Sequence, residues 1–120
     1  MAQAFYTASH NGDMAALRSL LTDDIAVYAD GGGKRPAALA PVLGIDRVMS
    51  AFSRFADLLA HWPTPEPVYR VINGLPGYVT LEPDGVPQTV AFDIRDERIA
   101  AIYVMRNPDK LRHLQDATLH

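Results

Sequence analysis

The sequence has no cysteine, a single tryptophan and no surplus of positive charge. The missing cysteines exclude a disulfide framework, a thiolate-bound zinc and a cysteine nucleophile. The 11 Lys and Arg stand against 14 Asp and Glu, a net charge of −3. Direct grip on nucleic acid needs a basic face, so this balance argues against it. No apolar run approaches the roughly 20 residues of a membrane-spanning helix. The start, MAQAFYTASH, lacks a signal peptide's basic region and apolar stretch. His10, His61, His113 and His120 show no HxH or HxxxH spacing, so no metal site is expected, and no other cofactor. What remains is 120 residues, 48 % apolar, with 8 Gly and 9 Pro. That length suits one domain over 1–120, since domains typically hold about 100–150 residues. A soluble, cytoplasmic chain is the expectation.

Pro and Gly punctuate the chain and divide it into single elements. Residues 2–10 form a helix in this reading, stopped by Asn11-Gly12. Asp13 caps a second helix over 14–21, with Met14, Leu17 and Leu21 on one face. A short strand, 25–29, leads into the glycine run. Val48, Phe52, Phe55, Ala56 and Leu59 recur at helical spacing over 46–60, the longest helix. Strands then follow at 67–72, 78–81, 86–95 and 98–106, with turns at 73–77, 83–85 and 96–97. In the third of these, Val90, Phe92 and Ile94 share one face, and Thr89, Asp93 and Arg95 the other. The last strand, RIAAIYVMR, is apolar on both faces and therefore central. Asn107 caps a final helical turn with Pro108 at its first position. Helices followed by a curved antiparallel meander make an α+β fold. An apolar second face on the central strand implies that the sheet curls around its own side chains or a ligand pocket.

Three motifs carry a resemblance that covers Phe5 to Leu114. They are Asp30-Gly31-Gly32-Gly33-Lys34, Asn73-Gly74-Leu75-Pro76-Gly77 and Asn107-Pro108-Asp109-Lys110-Leu111. In this order the chain resembles the SnoaL-like, nuclear-transport-factor-2-like C-terminal domain of sigma-J-type extracytoplasmic-function RNA polymerase sigma factors. The resemblance implies a cone-shaped α+β fold, with helices packed on a curved, mostly antiparallel sheet. It also implies a domain that modulates the sigma regions preceding it. Residues 30–34 and 107–111 would then form the regulatory interface with sigma-factor regions or RNA polymerase. Neither sigma region lies within these 120 residues. The chain is therefore expected to be an excised regulatory domain or a stand-alone relative that recognises no promoter by itself.

Each feature also has a local explanation. Three glycines allow positive φ and bare N–H groups, and Lys34 adds charge, which suits protein docking or anion capture. The GxxxxGK[ST] spacing of a P-loop is missing. A plain strand-to-loop connection is the bland alternative. The 107–111 motif is fully explained as a helix cap, although Lys110, Arg112 and His113 make it locally basic.

An enzymatic alternative follows from isomerases and cyclases of the same superfamily, which pair a pocket carboxylate with an enolate stabiliser. The catalytic candidates are Asp30, Asp93, Tyr28, Tyr103 and His61, and the substrate would be steroid- or polyketide-like. Tyr28, Trp62, Tyr69 and Tyr103 have apolar bodies and polar tips that suit a partly wet cavity for a small molecule. A dimerising module with no partner in transcription is the third alternative. Regulation by protein contact is preferred.

Overall fold

The computed structural model describes residues 1–30, 41–59, 66–81 and 87–105, with the side chains of Asp30, Phe55, Leu58, Leu59 and Leu81 outside that description. The features read at Gly31–Lys34, His61, Trp62, the 83–85 turn and Asn107–Leu111 lie outside the described residues.

The chain begins with two helices joined at a tight corner. α1 spans Ala2–Asn11 and ends where Gly12 takes φ 71°, its N–H donating to the Ala8 carbonyl. The left-handed conformation there is cheap only for a residue without Cβ. Asp13 opens α2, Met14–Ser19, and its Oδ1 accepts from the Ala16 N–H at 3.1 Å. Asp13→Ala removes that acceptor from a six-residue helix, and thermal unfolding is expected to register a loss of about 1 kcal/mol.

Helix α2 is shorter than the hydrophobic period suggested. Leu21 remains buried, but it begins strand β1, Leu21–Asp30, and does not end the helix. The Leu20 carbonyl accepts from the Ile99 N–H at 2.8 Å, so the sheet captures the chain at this point. A two-residue strand that the sequence did not announce, β2 at Val42–Leu43, pairs antiparallel with β1. Helix α3 follows over Ile45–Leu59.

The remaining strands are β3 (Val68–Ile72), β4 (Leu75–Leu81), β5 (Pro87–Arg95) and β6 (Arg98–Met105). They form one six-stranded sheet in the order β2-β1-β6-β5-β4-β3. All pairs are antiparallel except β1 with β6, which run parallel. β6 is therefore central, as its two apolar faces implied. The turn read over 73–77 contracts to Asn73-Gly74, both at positive φ, because Leu75 already pairs with Ile72. Two such residues are what a two-residue hairpin with the natural strand twist requires. Pro76 and Gly77 thus lie inside β4.

The helices cover one face of this sheet. Phe5 of α1 stands between Phe52 of α3 (5.4 Å) and Phe92 of β5 (4.8 Å). Leu17, Ile25, Val48, Ile99 and Ile102 complete the core around them. Ile94 departs from the expected face: it is 36 % exposed while Val90 and Phe92 are buried. Asp93 pairs with Ala101 and Ile94 with Ile99, so β6 carries an extra residue there and the alternation is interrupted.

Candidate functional site

Strand alternation sends successive side chains to opposite faces, so the sheet has an inner face under the helices and an outer one. Each face holds a hollow. The inner cavity, about 300 Å³, lies between α1, α3 and the sheet. Phe5, Phe52, Val90, Ile102 and Val104 supply most of its wall, and Ser9, Gln88 and Tyr78 its polar groups. Volumes near 300 Å³ mark the lower end for small-molecule sites.

Tyr78 is 4 % exposed and packs against Phe92, with Tyr6 at 5.3 Å and Tyr69 at 6.1 Å edge-on. Burial, reinforced by these two phenols, holds its own phenol above the usual tyrosine range. Tyr78 therefore stays an O–H, able to donate to an acceptor in the cavity. Nearby, His10 stacks on Tyr6 at 3.8 Å, with Nδ1 3.0 Å from the Tyr6 carbonyl. Ser9 Oγ donates to the same carbonyl at 3.0 Å. His10 Nδ1 also lies 3.3 Å from Ser9 Oγ, so the hydroxyl, the imidazole and the Tyr6 carbonyl form one small network.

Burial lowers the His10 pKa from 6.5, opposed by the bond to Tyr6. The folded state thus resists a proton that the unfolded chain accepts. This contribution is complete above 6.5 and is lost as pH falls from there toward the lowered folded value. Denaturant melts across that window should show stability declining with acid, and His10→Phe, which keeps the ring stack, should flatten this part of the decline.

The outer hollow, about 360 Å³, has a simple origin in one row of paired residues. The row runs Tyr28, Tyr103, Ala91, Gly77, Arg70 from β1 to β3. Two aromatic rings stack at 5.3 Å and 12°, and then come a methyl and no side chain at all. The missing volume over Ala91 and Gly77 forms the floor, and Ile72 and Leu75 form the far wall. Thr89 and Ala91 are buried beneath their larger neighbours.

This geometry separates the aromatic residues that the sequence grouped into one cavity. Tyr28 and Tyr103 line the outer hollow, each 41 % exposed, while Tyr69 leans on Tyr78 from the inner side. The apolar second face of β6 is accordingly the outer face, where it borders the outer hollow. Asp93 is exposed on the outer side, away from the inner cavity. The backbone of Asp30 pairs with Met105 at the parallel ends of β1 and β6. β1 and β6 therefore end side by side at Asp30 and Met105. Tyr78, Ser9 and Gln88 went unnoticed in the sequence. A tyrosine in alternation with core positions gives no local sign of its burial. Among the described residues there is no cluster of His, Asp and Glu able to hold a metal. No described helix is long and apolar enough to cross a membrane.

No family model matches the chain. The extracytoplasmic-function RNA polymerase sigma factor SigJ of Mycobacterium tuberculosis is 28 % identical to it, covering 82 % of this chain and 34 % of SigJ. The crystal structure of SigJ superposes with a TM-score of 0.71 at 26 % identity, over 91 % of this chain and 41 % of that one. The chain is homologous to SigJ and matches its C-terminal, SnoaL-like domain. This SnoaL-like domain spans about a third of the length of SigJ. Its fold is also that of an NTF2-like protein from Cytophaga hutchinsonii, with TM-score 0.65, 11 % identity and coverage of 92 % and 89 %. A putative polyketide cyclase from Sinorhizobium meliloti has it too, with TM-score 0.62, 17 % identity and coverage of 84 % and 89 %. The cone-shaped α+β architecture is thus established, with the sheet left open.

Proposed function

We propose that this SnoaL-like domain regulates a sigma factor by protein–protein contact, in a cytoplasmic setting. The relationship to SigJ over most of the chain carries this reading. The pairing of Asp30 with Met105 supports it, because β1 and β6, which precede residues 31–34 and 107–111 in the chain, end side by side. Bias between competent and inhibited sigma arrangements requires that the domain bind one arrangement more tightly than the other. The inner cavity suits a small apolar ligand with an acceptor for Tyr78, which would tune that preference.

Binding of the domain to isolated sigma regions of SigJ tests the proposal. Lys34→Ala and Asp109→Ala are each expected to weaken the complex about tenfold, the effect of losing one charge at an interface. Unchanged affinity in both variants overturns the assigned surface.

An isomerase or cyclase is the second reading, favoured by the inner cavity and by the putative polyketide cyclase of the same fold. The described polar lining offers a phenol, a hydroxyl and an amide, and Asp93 lies on the other face. This reading expects Asp30→Asn to abolish turnover of a polyketide- or steroid-like substrate, and unchanged turnover overturns it.

A further inference from the structure

The outer hollow lies where a stack of aromatic rings stops short. Tyr28 and Tyr103 are paired across β1 and β6, and their rings lie parallel to within 12° with centroids 5.3 Å apart. The next residue in that row, Ala91 on β5, has only a methyl group. Neighbouring strands stand about 4.8 Å apart, and aromatic rings stack with centroids about 4.5–7 Å apart. A ring placed over Ala91 is therefore at the right distance to be the third rung. Tyr103 is 41 % exposed, so its ring is open to such a partner.

The remaining walls select the kind of molecule. Ile72 and Leu75 close the far side, and the volume of about 360 Å³ is that of a small-molecule site. The side-chain polar groups of the lining are the Thr89 hydroxyl, the Asn73 amide and the two tyrosine hydroxyls, all uncharged. Thr89 is 3 % exposed and stands two residues from Ala91 on the same face of β5, at the edge of a ring placed there. Its hydroxyl can both donate and accept, so it orients a ligand by one polar substituent. Asp93, two residues beyond Ala91, and Arg70, opposite Gly77, bring one charge of each sign to the same face. Such a balance favours neither an anion nor a cation, and an uncharged ligand matches it.

We propose that the outer hollow binds a small, uncharged, planar aromatic molecule, stacked on Tyr103 over Ala91 with a polar substituent at Thr89. Tyr28 supports the Tyr103 ring from the other side. The site lies on the opposite face of the sheet from the inner cavity. It is independent of sigma regulation and uses neither 30–34 nor 107–111.

Calorimetric titration of the full chain with 2-naphthol is the test, with circular dichroism to confirm that each variant is folded. Decahydro-2-naphthol has the same skeleton and hydroxyl without the aromatic faces, and should bind about three- to tenfold more weakly. Tyr103→Leu keeps an apolar wall but removes the ring, and should weaken 2-naphthol by the same factor of about three to ten. Tyr103→Phe keeps the ring and should stay within about twofold of wild type. Ala91→Leu fills the hollow and should abolish binding. Ala51→Leu, which fills the inner cavity instead, should leave it unchanged. No binding by the wild type overturns the proposal. So does equal affinity for the saturated alcohol, or binding that Ala51→Leu abolishes and Ala91→Leu spares. Sedimentation equilibrium adds one more such outcome: self-association that Tyr103→Leu removes would place a second copy over the hollow.

Discussion

Phe92→Ala is expected to cost about 4 kcal/mol, the usual range for deleting a fully buried aromatic ring. Phe92 has no solvent exposure and its ring meets Phe5 at 4.8 Å and Tyr78 at 5.9 Å. Through Phe5 it also supports Phe52, so one ring joins the sheet to both α1 and α3. The backbone at β5 is held by β4 and β6 on either side and cannot collapse into the space left behind. Domains of this size are stable by about 5–15 kcal/mol, so the loss is a large share of the total. Urea titration should show a lower midpoint with an unchanged slope. Ile94→Ala is the informative comparison. Its side chain belongs to the same nominal alternation but is partly exposed beyond the bulge. It should cost less than about 1 kcal/mol.

Gly77→Ala is expected to destabilise by about 3 kcal/mol through overpacking, without any conformational strain at the residue itself. Gly77 is absent from the glycines at positive φ, so its need for glycine is one of space. An added Cβ would run into the Val90 carbonyl oxygen and lie 3.0 Å from the Ala91 Cα and 3.1 Å from Ile72 Cδ1. Two of these neighbours are backbone of the adjacent strand, which cannot rotate away. Relief requires β4 and β5 to separate at the pair Gly77–Ala91. The same methyl would fill the floor of the outer hollow. Gly77→Ala should therefore unfold at lower denaturant.

Much of the fold was legible in local chemistry. Gly12 and Asp13 identify the α1–α2 corner because both act on the few residues beside them. Asn73-Gly74 identifies a hairpin for the same reason, although the neighbouring Pro76 and Gly77 made the turn look longer than it is. The missed elements are those held by distant partners. β2 exists only because β1 pairs with it, and Leu21 belongs to a strand because β6 draws the chain into the sheet. The bulge that exposes Ile94 is likewise a property of the β5–β6 pair.

The site divides along the same line. From the sequence alone came the absence of thiol chemistry, the three glycine- and proline-bearing motifs, the central place of β6 and the aromatic inventory. All of these depend on residue identity or on neighbours a few positions away. Only the tertiary structure decided which face of the sheet the helices cover. Alternation sorts residues into two sets but is silent on which set faces α1 and α3. That choice buried Tyr78 beside the inner cavity and left Tyr28 and Tyr103 stacked on the open side. It also set the parallel register of β1 against β6, which brings Asp30 level with Met105 across most of the chain's length. Such contacts are fixed by the simultaneous packing of many residues, and no local pattern encodes them.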